Sequence, residues 1–146
     1  MLSKHFKTSK ELEKNGVPVE YGENSKGATI KFILARSGGM NASYLSYIEA
    51  ITKPHRRLIQ NDTIDAKTLE NLLKKAFIAH SLKGWENVEA EWEEPDAEGH
   101  YPNLVFNEVN ANILFDQMPD LYRDLQDISS KNTIFLENVR KADTKN

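Results

Sequence analysis

The spacing of apolar residues alternates between helical and strand periods along this chain. Thr8 and Glu11 form a Thr-x-x-Glu capping pattern, and Asn15-Gly16 closes the turn they open, which predicts a short helix over 8–15. Val17, Val19 and Tyr21 then alternate with Pro18 and Glu20, the period of a strand, and Pro18 places that strand at a sheet edge or at its own start. After a turn from Gly22 to Gly27, Ala28 to Arg36 puts Ile30, Phe32 and Leu34 on one face and Thr29, Lys31, Ile33 and Ala35 on the other. The two segments read as an antiparallel β-hairpin.

Gly38-Gly39 marks the change to helix, with Asn41 as cap and Tyr44, Leu45, Ile48 and Ile51 at helical spacing. Pro54 opens a short helix through Gln60. Asp65 caps the next helix, whose stripe is Leu69, Leu72, Leu73, Ala76 and Phe77, with Gly84 as its stop. Val88, Ala90 and Trp92 alternate with glutamates, which suggests a second hairpin turning at 95–99 and returning through Leu104 to Phe106. Asn107 caps a helix carrying Val109, Ile113 and Leu114. Met118 to Tyr122 is a helix–helix joint, with Pro119 starting the new helix and Asp120 in its first turn. A last helix is expected over about 120–139, kinked near Ser129-Ser130, with Leu121, Leu125, Ile128, Phe135, Leu136 and Val139 inward, and residues 140–146 read as a frayed tail. The expected fold is mainly α with a small antiparallel β-hairpin component (α+β), in a single compact domain covering 1–146.

Composition narrows the chemistry. The 146 residues contain no cysteine, which excludes disulfides, thiolate metal sites and thiol catalysis. No apolar run approaches the ~18 residues of a membrane span, and the opening MLSKHFKTSK lacks an apolar signal core, so a cytoplasmic protein without membrane contact is expected. The histidines (His5, His55, His80, His100) do not pair at metal-ligand spacing, and Asp62, Asp65, Glu108 and Asp116 stand where helix caps and first turns want acids rather than as catalytic pairs. No nucleophile motif or phosphate loop surrounds the serines or Gly38-Gly39. Neither a cofactor nor an enzyme activity is expected.

Charge is unevenly distributed. Residues 1–60 hold ten Lys and Arg against five Asp and Glu, a balance of +5; residues 61–146 hold nine against seventeen, a balance of −8. The segment from Glu86 to Glu98 has seven acids and no base. Such polarity orients partners, and it allows copies to stack basic end to acidic end as a homo-oligomer, although solvated faces have the same composition. Lys53, His55, Arg56 and Arg57 form a basic cluster suited to a partner carboxylate or phosphate. One cluster in an acidic chain does not make the continuous basic face of a nucleic-acid binder. Trp85, directly after Gly84, reads as core, whereas Trp92, set among glutamates, is the candidate contact residue.

The order of several pieces carries a resemblance. These are Lys4, Phe6, Lys7 and Thr8 before Glu11-Leu12-Glu13; Ile30 to Arg36 with Gly38-Gly39, Asn41 and Tyr44; Lys53-Pro54-His55-Arg56-Arg57 with Ile59-Gln60; Gly84-Trp85-Glu86-Asn87-Val88; Phe106-Asn107-Glu108 with Asn110-Ala111; and Met118-Pro119-Asp120-Leu121. In this order they resemble the tail assembly chaperones of long-tailed bacteriophages; the acidic stretch Glu89 to Pro102 is longer than that family leads one to expect. The resemblance implies a non-enzymatic protein of the host cytoplasm that binds the tape measure protein and helps tail tube protein assemble around it. It also implies that a frameshifted longer form can exist. Two alternatives stay open: a structural tail completion or connector protein, and a small nucleic-acid-binding regulator using Lys53, Arg56 and Arg57.

Overall fold

The computed structural model describes residues 1–137. A short α1 (Ser3–Phe6) precedes α2 (Lys10–Asn15), and the sheet begins with β1 (Val17–Glu23) and β2 (Thr29–Leu34). Helix α3 (Ala42–Thr52) runs through a 3₁₀ turn (Lys53–His55) into α4 (Arg56–Gln60). Then come α5 (Ala66–His80), β3 (Leu82–Glu86), α6 (Glu108–Gln117), α7 (Pro119–Ser130) and a 3₁₀ turn at Thr133–Phe135. The fold is α+β in a single compact domain, as the periodicities indicate.

The strand order is β1-β2-β3, antiparallel throughout, so the Pro18 strand is an edge. Val19 faces Phe32 and Glu20 faces Lys31 across the first pair, an opposite-charge cross-strand contact. Phe32 and Leu34 turn inward and are fully buried, which is the face that the alternation assigned to them. Below them lie Phe77 and Ile78 from α5, Ala111, Leu114 and Phe115 from α6, and Tyr122 and Leu125 from α7. Burying each of the larger aliphatic and aromatic side chains contributes about 1.5–3 kcal/mol.

Several expectations are corrected. The first cap is Ser9, whose hydroxyl accepts from Leu12 N; Thr8 instead donates to Glu13 and bridges to Leu136. Gly16 ends α2 at φ +107°, where an added Cβ would come within 2.9 Å of Ile33 Cγ2. Asn41 does not cap α3 with its side chain. Its buried amide donates to the carbonyl oxygens of Arg36 and His80 and so ties the post-strand loop to the end of α5. Leu45, expected inward, is exposed.

The second hairpin contracts to a single bridge, Glu89 opposite Asn103, while the segment before it pairs with β2 as a third strand. Gly84, read as a helix stop, therefore lies inside β3, and α5 ends earlier, at His80. The last helix stops at Ser130, where a kink was expected, and its continuation becomes the turn that buries Phe135. Val139 and the 140–146 tail lie outside the described residues. The Asp65 and Asn107 caps and the Pro119 start stand as expected, with Asp65 accepting from Thr68 N and Asn107 from Asn110 N.

Candidate functional site

Two apolar surfaces border α6. The first is a cleft of about 170 Å³ between the sheet, the segment after β3 and the α6–α7 joint. Tyr21, Ile30, Met118 and Leu121 line it, together with Phe32, Val88 and Leu114, which are themselves buried. The Tyr21 hydroxyl donates to the Asp124 carboxylate and so fastens β1 to α7. Burial, and then that hydrogen bond, push the Tyr21 phenol up, so it remains a donor across the physiological range. Glu91 adds a second carboxylate at the rim.

Glu89 also borders the cleft, but its buried carboxylate is already committed. It accepts from Lys26 Nζ at 2.7 Å and from the backbone N–H and hydroxyl of Ser25, both at 2.8 Å. Lys26 Nζ reaches on to Tyr101 O and Asn103 Oδ1, so the tip of the first hairpin closes over both ends of the acidic excursion. Desolvation raises the Glu89 carboxyl, and the Lys26 and Ser25 donors outweigh it, leaving it below its ordinary value. A depressed carboxyl stabilises the fold above its unfolded-state value of about 4.3, and that contribution is lost as pH falls through the lower folded value. Glu89→Gln is therefore expected to destabilise the protein at neutral pH by about 1–2 kcal/mol. In urea melts the gap to the wild type should close as the solution is acidified below pH ~4.

The second surface is the outer face of α6. At 3.6 residues per turn, Ala111, Leu114 and Phe115 share the core side, and Val109 and Ile113 fall on the opposite side. Val109 is 67% exposed and Ile113 39%. The Asn110 amide donates to Val105 O at 2.8 Å and folds exposed Val105 back beside the helix. Phe106 stacks edge-on against Trp85, with centroids 5.0 Å apart, and the Trp85 indole N–H donates to Leu104 O. The result is an apolar ledge on a rigid support.

A family model described as YdaY prophage protein matches residues 39–146. The chain belongs to the YdaY prophage protein family. No curated protein and no solved structure matches it. The YdaY stretch begins in the Gly38-Gly39 turn and contains the whole α6 ledge, together with Met118 and Leu121 of the cleft; β1 and β2, which supply Tyr21, Ile30 and Phe32, precede it. A phage-derived origin agrees with the resemblance read from the sequence, at the level of phage and no finer.

The residues singled out from the sequence all fall within the YdaY stretch. Lys53, His55, Arg56 and Arg57 come together where the 3₁₀ turn runs into α4; Lys53, Arg56 and Arg57 are exposed and make no ion pair among the described residues. Trp92 is not part of that corner: it sits on the excursion between β3 and α6, half-buried, and packs against the core. Sequence reasoning missed the ledge because Val109 and Ile113 were grouped with Leu114. The available signal was that α6 carries apolar residues on two opposed faces. The cleft had no such signal, since its lining comes from five separate parts of the chain.

Proposed function

We propose that this YdaY family protein is a phage tail assembly chaperone: a non-enzymatic factor of the host cytoplasm that binds the tape measure protein and supports assembly of tail tube protein around it. The observation that carries the reading is the α6 ledge. Val105, Phe106, Val109 and Ile113 form a ready-made seat for the apolar stripe of a long helical client, since two helices pack by setting such rows into each other's grooves. Each contact is small, and many copies along one client gain by multivalency. Phage descent and the ordered motifs in the sequence support the same reading.

Co-expression with the tape measure protein of the same prophage tests it. The wild type should keep the client soluble and co-purify with it. The double variant Val109→Glu, Ile113→Glu should fold normally, because both side chains face solvent, and should lose at least tenfold of the recovered client. Equal recovery with both proteins, or none with the wild type, would sink the proposal.

A further inference from the structure

Three apolar residues of the arm that leads into and forms α1 are uncovered. Met1 is fully exposed, Leu2 is 77% exposed and Phe6 69%. Leu2 and Phe6 are four residues apart on one helical face, with Lys4, Lys7 and Lys10 around them. Lys4 and Lys10 make no ion pair among the described residues. This arm is held in place: Asn132 donates to His5 O at 3.0 Å, Glu137 N donates to Lys7 O at 3.0 Å, and Ser9 N donates to Phe135 O at 2.9 Å. Those partners put the arm just beyond the C-terminal end of α7.

The cleft lies at the other end of the same helix, where Met118 and Leu121 line it. Twelve residues of α7 separate the two by about 18 Å, so an arm held by those bonds cannot reach its own cleft. The chemistries match. An apolar cavity of about 150 Å³ accepts a benzene ring, and this cleft, at about 170 Å³, has room for one phenyl group. Glu91 lines it, Asp124 accepts from the Tyr21 of its lining, and Glu91 belongs to the acidic segment 86–98; the arm carries lysines.

We propose that the α1 arm of one copy docks in the cleft of a second copy, with Phe6 set against Ile30, Met118 and Leu121 and the arm lysines facing Glu91 and Asp124. Each copy has one arm and one cleft at opposite ends, so the contact is heterologous and propagates into rows. The lysine–carboxylate component weakens as salt shortens the Debye length below about 10 Å.

Two exposed-site variants of the full chain test this by sedimentation or light scattering, with circular dichroism confirming the fold. Phe6→Asp disables the arm and Glu91→Lys disables the cleft. The wild type should grow beyond a dimer with rising concentration at low salt and dissociate at high salt. Each variant alone should stay monomeric. An equimolar mixture should stop at the dimer, because one intact arm then meets one intact cleft. A monomeric wild type at sub-millimolar concentration in low salt would overturn the proposal, as would a closed dimer that grows no further or a mixture that remains monomeric. Client recovery in co-expression is a separate readout: a monomeric protein that keeps the client soluble overturns self-association and leaves the chaperone reading standing.

Discussion

Phe77→Ala is expected to remove about 3–5 kcal/mol of stability, the usual cost of emptying a fully buried aromatic site. Phe77 is the meeting point of three rings. Its centroid lies 5.9 Å from Phe115 and 5.6 Å from Tyr122, and those two rings are 5.5 Å apart. The cluster joins α5, α6 and α7, so no single element can move inward to fill the void. Lys74 Nζ sits 5.7 Å over the Tyr122 ring and closes the cluster on its outer side. A domain of this size has roughly 5–15 kcal/mol in total, so the variant should unfold at a much lower urea midpoint with an unchanged slope. Val109→Ala on the exposed ledge should stay within about 0.5 kcal/mol of the wild type. If Phe77→Ala were equally mild, the three-ring junction would not be the centre of the core.

Glu13→Gln is expected to cost about 3 kcal/mol by breaking a buried ion pair. Glu13 has no exposed surface. Its carboxylate pairs with Arg36 Nη1 and accepts from Thr8 Oγ1 at 3.1 Å, while the backbone N–H of Arg36 donates to Glu13 O. Removing the charge leaves a guanidinium whose Nε is already buried without a partner. Gly39 belongs to the same arrangement: at φ +53°, a Cβ there would strike the Glu13 carboxylate and lie within 2.6 Å of Arg36 Cδ. The double variant Glu13→Leu, Arg36→Met should recover part of the loss, since well-packed apolar replacements avoid stranding a charge. Urea midpoints of the single and double variants read the coupling directly.

Neither Phe77's neighbours nor the Glu13 pair could be read from the chain in full. The α5 stripe showed that Phe77 faces inward, because helical period is a local property. Which rings it meets depends on how α6 and α7 cross it. Nothing local sets Glu13 apart from the other charged residues of its short helix, and its partner Arg36 comes 23 residues later. The first hairpin was legible because its register is written in adjacent alternating residues. β3 was not, because Gly84 reads as a stop in isolation and as a strand residue only when Ile33 lies opposite. The segment after it alternates well enough to suggest its own hairpin. In the fold that pairing shrinks to one bridge, and Glu89, one of its acids, is held by Lys26 instead. The basic corner at Lys53, Arg56 and Arg57 was visible as a cluster because consecutive residues need no fold to be neighbours.

The central position of β2 has a consequence for where this protein can be cut. The family match opens at residue 39, after both strands of the hairpin, yet among the described residues β3 inside the match pairs as a strand with β2 alone. A fragment trimmed to the matched stretch would leave β3 as a bare strand with open backbone donors and acceptors, and would uncover Phe77 and Leu114 where Phe32 had lain. The folding unit therefore reaches back at least to Thr29, where β2 begins, and expression trials that start at the match boundary would be sampling a template for aggregation.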